Sequence, residues 1–206
     1  MHRLYRVVVA AAVVLMLCSV VSTAQPEGPK PELPVLITSC GQSPGPAMLK
    51  VIFMRAKLEY DPIAYEISEM ASSEDLKAGK EAGTPFKTLI IVMGASLKGM
   101  GAAGISMEDE LSRTEALIAE AKKQGMTVIG SHIEGMKRRS QGASAGDTTD
   151  EQSIDAVAPF SDILLIHKEG NSDNRFSIIA KEKNIPLIEV EKNLDLISEI
   201  QKLFHR

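Results

Sequence analysis

Leu89-Ile90-Ile91-Val92-Met93-Gly94-Ala95-Ser96-Leu97-Lys98-Gly99-Met100-Gly101-Ala102-Ala103-Gly104 decides the fold class of this chain. Phe86 to Met93 is its longest mainly apolar run after residue 24 and reads as a central strand. It opens into a glycine-rich stretch, Gly94 to Gly104, ahead of an amphipathic helix from Met107 to Gln124. Ser106 caps that helix, Glu108, Asp109 and Glu110 suit its dipole, Met107, Leu111, Ile118 and Ala121 form its buried face, and Gly125 ends it. A strand, a glycine-rich loop and a helix in that order are the means by which many α/β proteins offer backbone N–H groups to an anion.

The same alternation runs outward in both directions. Upstream, Val35 to Thr38 is a short buried strand, and Ser43-Pro44-Gly45-Pro46 starts a helix whose stripe is Leu49, Ile52, Phe53 and Ala56. Ile63, Tyr65 and Ile67 alternate with polar or small residues as a half-exposed edge strand does, and a weak helix follows over Ser73 to Gly79. Downstream, strands are read at Thr127–His132, Asp162–His167 and Pro186–Val190. Helices are read at Asp150–Ala158, Asp173–Lys183 and Leu194–Phe204. About six strands alternating with helices predict an α/β domain over 35–206. It is a three-layer Rossmann-like or flavodoxin-like fold, a mainly parallel sheet with helices on both faces.

The first 34 residues read differently. Arg3 and Arg6, the apolar stretch Val7 to Val21 and the small residues Ser22-Thr23-Ala24 make a signal peptide over 1–24, with cleavage after Ala24. Residues 25–34 form a proline-rich leader. The expected location is the periplasm or the exterior, with no stable membrane insertion after cleavage. Without Arg3 and Arg6 the 23 basic residues fall to 21 against 27 acidic ones, a net charge of −6, which argues against nucleic acid as a partner. Cys18 leaves with the signal, so Cys40 is the only cysteine after residue 24 and no internal disulfide forms.

In an open parallel sheet, ligands bind beyond the carboxyl ends of the strands, where strand order reverses. Four polar loops fall there: 39–43, 94–104, 132–139 and 167–173. In the leading reading they bind a small anionic ligand. Ser96, Lys98 and the backbone of Gly99 to Gly101 hold the anion, and His132, Arg138 and Arg139 close over it. Gln42, Ser43, Asn171 and Asp173 shape the sides, and 140–148, of mobile-loop composition, is a candidate lid. The plainer reading of the glycines is a turn that lets helix and sheet pack closely. Gly99, Gly101 and Gly104 match G-x-G-x-x-G, but they start several residues past the strand and outside the first βαβ unit. No Lys-Ser or Lys-Thr follows Gly99, so no nucleotide cofactor is inferred.

A second reading is a hydrolase-like enzyme with His132 as general base and the glycine loop stabilising developing negative charge. A third is an interaction module whose protein partner docks on the same rim. His132 with Glu134, and His167 with Glu169, repeat one spacing at successive strand ends. They form a weaker alternative as a site for zinc or a similar ion. Cys40, just before a helix, is a candidate nucleophile with His132 as its base.

Taken together, the segments Thr38-Ser39-Cys40-Gly41-Gln42-Ser43, Gly94 to Gly104, His132 to Arg139 and Lys168 to Asn171 resemble a bacterial family catalogued as domain-of-unknown-function family 6305, over about residues 33 to 204. The resemblance implies an exported protein of similar size and supplies no reaction. It also implies alanine as the common residue where Cys40 stands, so that a thiol mechanism is not a family trait.

Overall fold

The computed structural model describes residues 30–139 and 148–204. The signal expected over 1–24, the first part of the leader and nearly all of the candidate lid lie outside these residues. Six strands are present among them: β1 (Val35–Cys40), β2 (Tyr65–Ile67), β3 (Thr88–Met93), β4 (Thr127–His132), β5 (Ile163–His167) and β6 (Leu187–Val190). The helices are α1 (Gly45–Ala56), α2 (Ser73–Glu81), α3 (Leu97–Ala103), α4 (Met107–Lys123), α5 (Thr149–Val157), α6 (Arg175–Lys183) and α7 (Leu196–Phe204). No helix among the described residues is long and apolar enough to cross a membrane.

The local causes are those of the sequence. Ser72 with Asp75 and Ser106 with Asp109 each form a capping box at the starts of α2 and α4. Proline sits in the first turn of α1, and Leu49, Ile52, Phe53 and Ala56 are all buried. The strands pair only in parallel, in the order β2-β1-β3-β4-β5-β6, so strand order reverses between β1 and β3. Period-two alternation sorts the side chains. Val35 and Ile37 of β1 and Ile90 and Val92 of β3 pack under α1 and α7 in one core, while Leu36, Leu89, Ile91 and Met93 pack under α2, α4, α5 and α6 in the other. The fold is therefore an open α/β sheet covered on both faces, of the flavodoxin-like order.

The structure corrects some expectations. β2 starts at Tyr65 rather than Ile63, which leaves Ile63 exposed on the approach to the strand. Leu97 to Ala103 is not a loop but α3, capped by the Ser96 side chain and ended by Gly104 at φ +70°. In α4 the buried face includes Glu110 and Thr114, whereas Leu111 is only half-buried. Packing against the β1 end, rather than the dipole, accounts for Glu110.

Candidate functional site

The four polar loops follow β1, β3, β4 and β5, which are consecutive in the sheet, so they do form one rim at the carboxyl ends. Their side chains divide that rim into three clusters.

The first cluster fastens the β1 end. Glu110 is fully buried. Its Oε1 accepts from the Gly41 N–H (2.8 Å) and from Gln42 Nε2 (2.9 Å), and its Oε2 accepts from Arg113 Nε (2.9 Å). Gln42 also donates to Glu69 O, and Arg113 donates to Ser39 O and Ala71 O. Gly41, at φ +104°, brings its Cα so near the β3 loop that an added Cβ would lie 2.5 Å from Gly94 O. Gln42 thus holds a loop rather than projecting from the rim. Cys40 is fully buried beside this cluster, and burial pushes its thiol up to about 12, which favours the protonated form over the thiolate a nucleophile needs.

Several N–H groups of the glycine stretch already have acceptors within the fold: Gly94 donates to Cys40 O, Ala95 to Asp150 Oδ1 and Ser96 to Gly41 O. Ser96 Oγ accepts from the Gly99 N–H (3.1 Å), and a Cβ on Gly99 would collide with Gln42 O, which explains the glycine there by close packing. Gly101 has open space around it, and Lys98 is exposed.

The second cluster seals the β4–β5 rim. His132 has no exposed surface. Its Nδ1 lies 3.0 Å from Met93 O and its Nε2 3.1 Å from Gly135 O. A neutral ring donates to only one of these carbonyls. Burial lowers its pKa to about 4, opposed by the two carbonyls, so the neutral ring prevails near neutrality. Gly170 closes the pocket, since a Cβ there would lie 2.6 Å from His132 Cδ2. His132 therefore turns no nitrogen toward a substrate.

The histidine–glutamate quartet is not assembled either. His132 pairs in register with Ile166, so His167, one residue on, faces the opposite side of the sheet. Glu134 is bound to Arg138 instead, and His167 Nδ1 accepts from the Glu169 N–H. Among the described residues no three acidic, cysteine or histidine side chains group so as to hold a metal.

Arg139 is buried against the Phe176 ring and bound on all sides. It reaches Glu151 Oε1 (2.8 Å), Asp173 (3.2 and 2.5 Å) and Gly170 O. Arg175 completes the group with bonds to Glu151 and Asp155. Burial alone would raise Asp173, but its bonds from Arg139 and from the Arg175 N–H outweigh it and hold the carboxyl below its usual range. Asn171 accepts from the Phe176 N–H (2.8 Å) and donates to Ser177 and Glu189, so it fixes the start of α6. Arg139, Asn171 and Asp173 are thus engaged with one another's elements, not with a pocket.

The third cluster lies on the α1 side of the switch point and differs in kind. Ser43 is nearly buried, and its Oγ accepts from the Gly45 N–H at 3.3 Å. A Cβ on Gly45 would lie 3.3 Å from that oxygen and 3.2 Å from Glu134 Oε1, and would collide with Val92. Ser131 is the register partner of Val92 on β4. Glu134 Oε1 and Ser131 Oγ are both buried with no hydrogen-bond partner among the described residues, although buried polar atoms are nearly always paired. The other carboxylate oxygen, Oε2, accepts from Arg138 Nε (3.2 Å), whose Nη1 donates to Ala95 O (2.7 Å). The Arg138 stem lies over Gly94, 3.1 Å from where a Cβ would sit. Asp150 accepts from the Ala95 N–H (2.8 Å), and burial raises its carboxyl despite that bond. The sequence pattern does not single out Ser131, and it presents Glu134 only as a companion of His132. Their spacing at the end of a buried strand was the available signal.

With this geometry in view, one comparison is decisive. A family model described as a domain of unknown function, DUF6305, matches residues 32–204. The chain belongs to that family. No curated protein matches this DUF6305 chain. Solved structures similar to it include a psychrotrophic esterase from Pseudoalteromonas sp. The two are 12% identical, with 76% of each chain covered and a TM-score of 0.35. An acetyl xylan esterase is 13% identical over 81% of this chain and 83% of its own, at TM-score 0.35. A GDSL-like lipase from Bacteroides thetaiotaomicron is 13% identical over 80% and 73%, at 0.32. At such scores these likenesses say nothing about a reaction in the DUF6305 chain.

Proposed function

We propose that the protein binds a small anionic molecule carrying a hydroxyl or ammonium donor beside its charge, in the corner bounded by Ser43, Gly45, Ser131, Glu134 and Arg138. The observation that carries this reading is the buried Glu134 Oε1, which has no hydrogen-bond partner among the described residues; Ser131 Oγ, beside Val92 on the end of β4, has none there either. An unmet carboxylate oxygen takes a donor, not an anion. The anionic end of the ligand is assigned to Arg138, which is partly exposed and freer to turn than the buried Arg139. Lys98, Ser96 and the glycine backbone no longer carry the anion in this reading, and His132 is no longer the base.

The test is native mass spectrometry of residues 25–206 purified without added ligand, compared with the denatured mass. A discrete added mass that is lost on denaturation, and absent from Glu134→Gln, supports the proposal. The same mass in Glu134→Gln overturns it. One observation favours a hydrolase as the second reading: Ser43 Oγ and Glu134 Oε1 both lie close beside Gly45. In that reading Ser43 Oγ attacks an acyl carbonyl as Glu134 takes the hydroxyl proton, the carbonyl–oxygen bond to the alcohol or phenol breaks as the acyl–serine forms, and water then releases the acid. Turnover of p-nitrophenyl acetate that is lost in Ser43→Ala supports that reading, and no turnover by the parent protein removes it.

The same proposal puts the protein in the periplasm or outside the cell, on the strength of the residues before Gln25. A purified chain beginning at Gln25 supports this, and one beginning at Met1 overturns it.

A further inference from the structure

The far edge of the sheet, away from the rim, carries a feature of its own. Val35 N–H donates to Ala64 O (2.9 Å) and Ser68 N–H donates to Ile37 O (3.0 Å). These bonds set the parity of the β1–β2 pair: residues 64, 66 and 68 face β1, so the amides and carbonyls of Tyr65 and Ile67 point outward. They make no hydrogen bond among the described residues. β2 therefore ends the sheet with an open ladder.

Beside it lies a cleft of about 590 Å³, floored by Leu36 and walled by Tyr60, Ile63 and Phe86. Tyr60 and Ile63, which sit on the approach to β2, are 46% and 57% exposed, large apolar side chains left at an edge. Glu66 and Lys87 also line the cleft, and the side chain of neither makes a hydrogen bond or ion pair among the described residues. A row of outward N–H and C=O groups is matched by another extended backbone. The adjoining apolar cleft is matched by one side chain of such a strand, because alternate residues of an added strand point to the same face.

We propose that this edge binds an extended peptide segment that adds to β2 as a further strand and seats an apolar side chain between Ile63 and Phe86. The site is separate from the switch-point corner and does not depend on the function assigned there. Glu66 and Lys87 flank the cleft and favour polar residues on either side of the apolar one.

The probe is a short blocked peptide of alternating threonine and valine, titrated into the uniformly 15N-labelled protein. Two further versions are N-methylated, each on one alternate set of residues. Slowed hydrogen exchange at the Tyr65 and Ile67 amides, with one N-methylated version binding at least about tenfold more weakly than the other, supports the proposal. Ile63→Asp, a change at an exposed position, is expected to weaken the unmodified peptide by at least about tenfold. Equal binding of the two N-methylated versions overturns the proposal, because the backbone is then not the recognised group. No change at Tyr65 and Ile67 up to millimolar peptide also overturns it. If these amides become protected as protein concentration rises without peptide, the edge serves a second copy of the chain and the peptide proposal falls.

Discussion

The β4–β5 rim and the β1–β3 corner sit a few residues apart on the same edge of one sheet, yet they handle buried charge in opposite ways. On the β4–β5 side, Arg139, Glu151, Asp173 and Arg175 satisfy one another around a buried carboxylate, and His132 is clamped between two carbonyls. At the corner, Glu134 is almost as buried, but one of its oxygens has no donor among the described residues. The difference separates charge used to join elements from charge left available. A network closed on itself holds loops together and offers a ligand nothing, whereas an unpaired buried acceptor is costly and retains the capacity to accept a donor.

The largest expected effect breaks the closed side. Glu151→Ala removes the carboxylate shared by Arg139 and Arg175 and leaves buried guanidinium charge, so urea denaturation is expected to show a loss of about 3–5 kcal/mol. A loss of under about 1 kcal/mol would mean that the network does not close the rim.

A smaller effect concerns His132. Its folded pKa of about 4 lies below the ordinary 6.5, so the unfolded chain takes up the proton first. Its contribution is full above about pH 6.5 and is lost as pH falls toward 4, about 3 kcal/mol across that window. Stability curves for the parent protein and His132→Gln should therefore converge as pH drops. Parallel curves would place the imidazole outside the sealed cluster.

The smallest effect sharpens the contrast from the open side. Glu134→Gln places an amide N–H₂ where the bare oxygen lies and keeps an acceptor for Arg138. Because the Arg138 bond keeps its acceptor, the variant is expected to cost clearly less stability than Glu151→Ala while abolishing ligand capture. A loss as large as that of Glu151→Ala would make the corner structural.

Much of the fold was readable in the chain because its signals are local. The stripe of α1, the capping box at Ser106 and the apolar run into Met93 each needed only nearby residues. The rim was also readable as a place, since alternating strands and helices put these loops at one end of the sheet. Individual roles there were not. Whether Arg139 is free or bound depends on Glu151 and Asp173, 12 and 34 positions away. His132 and His167 repeat a motif, but the register of β4 on β5 sends them to opposite faces. Gly94 to Gly104 read as a loop because glycine is a poor helix former, yet Ser96 caps a short helix there and Gly99 is required by the nearness of Gln42.

The sequence by itself determined the α/β class, the parallel sheet, the helix stripes and caps, and the rim at which polar residues collect, because periodicity and capping act over a few residues. Tertiary structure alone decided which charges cancel, which glycine is needed for packing, which histidine is buried, and that Glu134 Oε1 has no hydrogen-bond partner among the described residues. These follow from strand order and register, which bring distant residues within hydrogen-bond reach, and no local pattern encodes that distance.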